Sequence, residues 1–567
     1  MQKLWLASYP AGIPATIDAG RFASAVELFD DSVKRFADHT ACIFEGRRLS
    51  YHELDRLAAA FAGWLQREAE LVPGERVAIM LPNCLQHPVC VFGALRAGAV
   101  VVGCNPRDSG AELRHRLSDS DARVLVVLDE FAHRVGEALG GTQVTRVVVS
   151  GLTDLLPAAR RWQHGLASLS RVGLRVLNGR TSIVRFRDAI SRGDRRPPKK
   201  LAREPDNLAF LQYTSGTTGV SKAAMLTHRN LVANLEQIRA WLKPVFHEGE
   251  ELFVSALPLN HIFSLSASCL GFMRLGATSL LIPDPDDTPA FVRELATHRV
   301  TAITGTSGLF AALLANEAFH DLEWSALKCC FSSGLSLQKM VALRWKAATG
   351  KSIVTAYGLA ETTLAVTMNP LGQREFNPTI GLPLPSTEVS IRDDFGRELA
   401  PGEIGELCLR GPQVMRGYWK LPVETANALT PDGFLRTGDI ASIDRRGFVS
   451  IVDRKSDRII VSGFKVYPHE VEDIVARHPG VIEVAAVGVP DRRSGEAVKL
   501  FVEDLVVRQA QLAIGRDHGA IEQHGSRVVA LLVGVLDRMA DDDGEALRQF
   551  GAEHVERALC LPVEVRS

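Results

Sequence analysis

The residues best suited to do chemistry lie together in "YTSGTTGVSKAAMLTHRN", from Tyr213 to Asn230, whose first ten positions hold five Ser or Thr hydroxyls, two glycines and one lysine. A triphosphate needs many hydrogen-bond donors delivered without steric bulk. A glycine-rich turn supplies backbone N–H groups, and Thr, Ser and Lys side chains add hydroxyls and a positive charge. The spacing is not that of a Walker A loop, because Lys222 follows Gly219 by three residues and no Gly-Lys-Ser/Thr closes the run. A P-loop kinase or ATPase is therefore disfavoured, and the plain alternative is a polar turn between two elements.

Such a loop has to be held by its neighbours. "LAFLQY" before it reads as a strand and "NLVANLEQIRAWL" after it as a helix. Along the chain, β-branched runs such as "RVAIMLP", "ARVLVVLD", "TRVVVS" and "TAITGT" alternate with amphipathic stretches such as "AELRHRLSDSD" and "PAFVRELATHR". This is the pattern of an α/β protein with largely parallel, buried strands. From residue 385 the texture changes to short strands with frequent Gly and Pro turns, as in "GRELAPGEIGELCLRGPQVMRGYW", a β-rich subdomain. A charged break at Asp453 to Ser456 precedes "IIVSGFKVYPHEVEDIVARHPGVIEVAAVGVP", which reads as a small α+β domain. The expected fold is α/β: a large N-terminal domain (1–453) of stacked α/β subdomains plus the β-rich subdomain, then a small C-terminal domain (454–567).

Composition excludes little. The 567 residues carry a net charge of -1 with 46% hydrophobic and 23% charged residues, ordinary globular values that give no reason to expect nucleic acid. The nine cysteines are scattered, with no C-x-x-C, which fits a reducing cytoplasm. The start lacks the pattern of a signal peptide, and the apolar runs are interrupted by Arg96 and Arg274, so no membrane span is expected. One segment, residues 160–200, holds twelve Arg and Lys against Asp188 and Asp194. It reads as a solvated insertion or as a surface for anionic lipid on the inner face of the membrane, with Trp162, Leu166, Leu169, Val172 and Leu174 as anchors.

The stretch from Tyr213 resembles the phosphate-binding loop of the adenylate-forming enzymes, the superfamily of acyl-CoA synthetases, firefly luciferases and peptide-synthetase adenylation domains. The motifs "ALPLNHIFSL", "YGLAETT", "GELCLRGPQVMRGYW", "DGFLRTGDIA" and "VDRKSDRIIVSGFKVYPHEVED" follow in that family's order. "MQKLWLASYPAGIPATID", "LTHRNLVANLEQ" and "HPGVIEVAAVGVP" look like its bacterial long-chain fatty-acid-CoA ligase branch, and the resemblance runs to about Val502. It implies two half-reactions. A carboxylate attacks the α-phosphate of ATP and expels pyrophosphate; the thiol of CoA then attacks the acyl-adenylate and expels AMP. It also implies a C-terminal domain that rotates between the two.

By the same resemblance, Thr214, Ser215, Gly216, Thr217, Thr218, Gly219 and Lys222 hold the β- and γ-phosphates, and Glu361 holds Mg²⁺ and takes part in catalysis with Lys222 and His261. Ser333, Gly334, Tyr357 and Gly358 flank the adenine, Asp439 and Arg454 reach the ribose, His261 sits at the mouth of an acyl tunnel, and Gly463 lets the pantetheine arm of CoA pass. The residues after "LP", "LNHIFSLSAS", lack the aspartate with which peptide-synthetase domains pair an amino group, which favours an uncharged acyl tail.

Several positions depart from the family's pattern: Ser221, Ala223, Ser332, Ser333, Ser456 and, most chemically, Ala360 where a threonine is usual. Beyond Val502 the expected C-terminal lysine, which approaches the reacting carboxylate and α-phosphate, has no counterpart, and Lys499 is the last lysine. The sequence therefore predicts a fatty-acid-CoA ligase with impaired activity. Its alternatives are a catalytically silent nucleotide- or acyl-binding relative, and a CoA ligase for a medium-chain or aryl acid.

Overall fold

The computed structural model describes residues 3–157, 181–214, 221–334, 337–373, 375–461, 464–475, 481–491 and 495–504. The proposed lipid anchors 162–174, the loop residues Ser215, Gly216, Thr217, Thr218 and Gly219, the CoA-channel Gly463 and the tail from 505 lie outside them.

The apolar runs fold as the parallel strands their sequence predicts. A seven-stranded sheet has the spatial order Ser182–Arg185, Arg146–Ser150, Ala122–Leu128, Arg76–Met80, Val100–Gly103, Leu208–Tyr213, Ala223–Thr227. It is parallel except for its last pair. A nine-stranded sheet runs Leu382–Pro383, Thr367–Met368, Ile353–Tyr357, Cys329–Ser332, Ala302–Gly305, Leu252–Ser255, Thr278–Leu281, Thr40–Phe44, Arg47–Ser50, and is parallel through its middle.

One continuous apolar core joins the two sheets. It draws Val77, Ile79 and Val101 from the first and Phe44 and Leu281 from the second, through the helices Tyr51–Arg67, Gln86–Arg96 and His228–Leu242. The middle helix is buried on every side from Gln86 to Leu95, the signature of a helix sandwiched between layers. Separate cores cover the outer faces, with Leu113, Leu117 and Val135 on the first sheet and Phe291, Phe310 and Trp345 on the second. Burial on both faces explains why these strands read as unbroken apolar runs.

The second half of the basic segment is an integral part of this layering and not a solvated insertion. Ser182–Arg185 pairs in parallel with Arg146–Ser150, and the helix Phe186–Asp194 buries Phe186, Ala189 and Gly193. Two glycines allow this helix its close approach to Tyr51–Arg67. A Cβ on Gly193 would stand 1.8 Å from the Ala60 carbonyl oxygen, and one on Gly63 would stand 2.2 Å from that of Arg196.

The chain divides into two compact units, Met1–Ser390 with Cys408–Thr437 and Ile443–Ser450, and Ile391–Leu407 with Gly438–Ser442 and Ile451–Ser567. The turn-rich region forms a four-stranded sheet, Glu388–Arg392, Gly405–Arg410, Leu435–Ile443, Val449–Arg454. The second unit contains the α+β element expected from the sequence. Its antiparallel sheet has the order Phe464–Val466, Ile459–Val461, Gly495–Asp504, Val481–Asp491, accompanied by the helix Pro468–Val475. Among the described residues, no helix is long and apolar enough to cross a membrane.

Candidate active site

The glycine-rich run does not join a strand to a helix. Leu208–Tyr213 pairs antiparallel with Ala223–Thr227, Tyr213 standing opposite Ala223, so the run connects a hairpin at the edge of the seven-stranded sheet. The Thr214 N–H donates to the Lys222 carbonyl at 2.9 Å and the Ser221 hydroxyl donates to the Thr214 carbonyl, which closes the neck of the loop. Ser221 thus has a local use that the usual residue could not serve. The helix begins only at His228, where Thr227 and Asn230 form a reciprocal cap. Below the neck, Tyr213 donates to Asp119 at 2.6 Å. Burial and that carboxylate push its phenol pKa far up, so the hydroxyl stays a donor.

Glu361 lies in the single turn Ala360–Thr362 that follows the strand Ile353–Tyr357. Its surroundings are tightly determined. A Cβ on Gly358 would stand 1.4 Å from the Leu364 carbonyl oxygen, so the position admits only glycine. Thr363 holds φ +70°, a costly conformation for a β-branched residue. It is fixed by donating to the Gln413 carbonyl at 2.8 Å and by accepting from Ser266 at 3.1 Å. The Thr362 hydroxyl is likewise engaged, accepting from the Leu359 N–H at 2.8 Å, so neither threonine stands in for the hydroxyl lost at Ala360.

The loop lysine and this glutamate meet at Tyr418. The Tyr418 hydroxyl donates to Glu361 Oε1 at 2.7 Å, and the Lys222 ammonium lies 5.5 Å from the centre of the same ring. Burial, then the glutamate charge, raise the Tyr418 pKa well above the ordinary phenol value. Sequence reasoning quoted the "MRGYW" that contains Tyr418 without assigning it a role, because its partners are distant in sequence. Among the described residues, no group of three His, Cys, Asp or Glu could hold a metal by itself. A single half-buried carboxylate is nevertheless the donor set expected for Mg²⁺, which takes one or two carboxylates and completes its shell with phosphate and water oxygens.

Ser332 and Thr355 are partners across the adjacent parallel strands Cys329–Ser332 and Ile353–Tyr357. Ser333, Gly334, Tyr357 and Gly358 therefore leave the nine-stranded sheet at one C-terminal edge, where open α/β sheets bind ligands. Gly334, at φ +89°, is exposed and has open space beside it.

An apolar cavity lies within the same unit, lined by Phe263, Ala267, Phe272, Phe331, Leu364 and Met368 among others. One wall is a π-helical turn, Leu265–Gly271, a rare geometry that is frequent at functional sites. His261 caps the turn just before it, its Nδ1 accepting from the Phe263 N–H at 3.4 Å. The histidine is exposed, and desolvation by the surrounding protein still lowers its pKa.

In the second unit, Asp439 is buried and pairs with Arg454, Nε to Oδ1 at 3.2 Å, while the arginine stays half exposed. Lys455, next in sequence, pairs with Glu406 at 2.9 Å. The two residues proposed for the ribose thus pair, and of those proposed for the phosphates and the metal Lys222 and Glu361 share Tyr418 as a neighbour.

Comparison with known proteins places the chain in a family. The AMP-binding enzyme profile matches residues 29–419, and the AMP-binding enzyme C-terminal domain matches 470–524, beyond the Val502 at which the motif likeness stops. A long-chain-fatty-acid–CoA ligase of Escherichia coli O157:H7 is 46% identical over 502 residues, covering 88% of this chain and 89% of the relative. The ATP-bound MatB structure from Rhodopseudomonas palustris superposes with a TM-score of 0.69 at 26% identity, over 84% of this chain and 88% of that one. A benzoate CoA ligase structure from Burkholderia xenovorans LB400 gives 0.72 at 25% identity, over 91% and 94%. With the family's motifs in order and its profile covering most of the sequence, the chain belongs to the AMP-binding enzyme family of adenylate-forming ligases.

Proposed function

We propose that the protein is an AMP-forming fatty-acid–CoA ligase acting on long-chain acids. The observation that carries this reading is the meeting of Lys222 and Glu361 at Tyr418, in the same unit as a cavity lined by apolar side chains and Thr304. In the first half-reaction a carboxylate oxygen forms a bond to the α-phosphorus of ATP, and the bond to the β-phosphate oxygen breaks. Lys222 and the loop hydroxyls, with Thr214 at the neck, neutralise the charge that develops on the departing pyrophosphate. Glu361 would hold Mg²⁺, which would supply further neutralisation of phosphate charge. In the second half-reaction the CoA sulfur bonds to the acyl carbon and AMP leaves.

We assign the adenine to Tyr357, Gly358, Ser333 and Gly334, the ribose to Asp439 and Arg454, the tunnel mouth to His261 and the pantetheine path to Gly463. Residues 1–453 form the substrate-binding domain, and 454–567 form the small domain that turns between half-reactions. The eight described cysteines are all buried and free, in keeping with a reducing cytoplasm. Arg185, Arg187, Arg192, Arg195, Lys199 and Lys200 are exposed, which supports contact of segment 160–200 with an anionic membrane face.

The test is fatty-acid-dependent pyrophosphate release with Mg·ATP, with and without CoA. Release that tracks CoA consumption supports the ligase. The lack of any lysine after Lys499 favours a second reading, a silent relative, which would be stabilised by nucleotide yet release no pyrophosphate.

The cavity makes its own prediction. Ala267, on the π-helical wall, is buried, and Ala267→Phe would fill the space an acyl tail needs. We expect kcat/KM for hexadecanoate to fall by about 10–200-fold, the usual range for a steric change in an apolar pocket. For hexanoate the loss should stay below about threefold, under the low end of that range. Equal losses on both acids would place the tail elsewhere.

A further inference from the structure

We infer that Tyr418 is a positioning residue for the metal–nucleotide site, fixing the Glu361 carboxylate by its hydroxyl and keeping the Lys222 ammonium beside it on its ring face. The inference rests on the reading that Glu361 and Lys222 serve Mg·ATP.

The backbone around Tyr418 is built to place it. The Met415 N–H donates to the Glu361 carbonyl at 2.7 Å, which ties the start of the segment to the glutamate itself. The rest runs along the strand Ala223–Thr227, which begins one residue after Lys222: Arg416 donates to Met225 at 3.0 Å, Met225 to Gly417 at 2.9 Å, and Trp419 to Ala223 at 2.8 Å. Gly417 holds φ +146°, and a Cβ there would stand 2.6 Å from Thr425 Cγ2. The Thr425 hydroxyl in turn accepts the Tyr418 N–H at 2.9 Å. These contacts together fix one ring position between the loop neck and the metal carboxylate.

Each part of the side chain has a separate consequence. The hydroxyl occupies Glu361 Oε1, which restricts the carboxylate to one orientation and directs its remaining capacity elsewhere. The ring face holds the ammonium at cation–π distance. Among the described residues, Lys222 forms no ion pair within 4.0 Å, so the lysine stays close without neutralising the glutamate. Packing alone would be met by phenylalanine, and only the phenol accounts for the bond to Glu361.

The experiment titrates the full chain with α,β-methylene-ATP, which cannot donate its adenylyl group, by calorimetry with and without Mg²⁺, for wild type, Tyr418→Phe, Tyr418→Leu and Glu361→Gln. For Tyr418→Phe we expect the gain in affinity that Mg²⁺ brings to shrink by about tenfold, the scale of one hydrogen bond to a charged group. Its metal-free affinity should stay within about twofold of wild type, because the ring and its cation–π contact remain. Tyr418→Leu should lose metal-free affinity as well. Unliganded melting temperatures identify any variant that merely fails to fold. If Glu361→Gln loses the Mg²⁺ gain and Tyr418→Phe keeps it, the inference falls while the site reading stands. If Glu361→Gln keeps the gain, the site reading itself fails and the inference with it.

Discussion

Lys222→Ala is expected to cut fatty-acid-dependent pyrophosphate release by about 10²–10³-fold, the usual cost of losing one donor aimed at charge that develops in a transition state. Stability should hardly move. The loop neck is closed by the backbone of Lys222 and by the Ser221 hydroxyl, neither of which alanine removes. The ammonium's one contact described here is the Tyr418 ring, worth about 0.5–1 kcal/mol at a half-exposed site. The fold therefore has little stake in the charge. Lys222→Arg should recover only a small part of the rate, because a planar fork does not reproduce a compact ammonium on phosphate oxygens. Pyrophosphate release from Lys222→Ala within about threefold of wild type, far short of the range for such a donor, would remove this lysine from the mechanism.

Much of this fold is legible because its strands are buried on both faces. "ARVLVVL" and "TAITG" need no partner to be recognised, and both are parallel strands, Ala122–Leu128 and Ala302–Gly305. The strand Ala223–Thr227 is not legible in the same way. "AAMLT" is short, lacks alternation and abuts a helix, and only its pairing with Leu208–Tyr213 makes it a strand. The second half of the basic segment hides for another reason. Its charges dominate the composition, while the residues that fix it, Phe186, Ala189 and Gly193, are few and meet a helix more than a hundred positions earlier.

The site follows the same division. Motif order located Lys222 and Glu361, and the paired positions Asp439 and Arg454 do form an ion pair. Tyr418 stayed hidden because its function is a matter of tertiary distance: a hydroxyl 2.7 Å from one residue and a ring 5.5 Å from another, both far away in the chain. The departures also look different in three dimensions. Ser221 is employed at the loop neck, whereas Ala360 leaves a missing hydroxyl that Thr362 and Thr363 are too committed to replace.

An effect of the same size is expected when the two half-reactions are separated. No lysine follows Lys499 in the sequence, whereas the family resemblance implies one that approaches the reacting carboxylate and α-phosphate. By that resemblance, the lysine serves adenylation. Attack of CoA on a finished acyl-adenylate does not need it, because AMP is already a good leaving group. Rapid-quench measurement with synthetic hexadecanoyl-adenylate and CoA should therefore give acyl-CoA about 10²–10³-fold faster than hexadecanoate, Mg·ATP and CoA do, the span expected for one absent charge-stabilising donor. Comparable rates from both starting points would mean that adenylation is intact and another cation has taken the position. Arg548 and Arg557 are then the residues to remove, and whichever abolishes pyrophosphate release while sparing acyl transfer from the adenylate is the replacement.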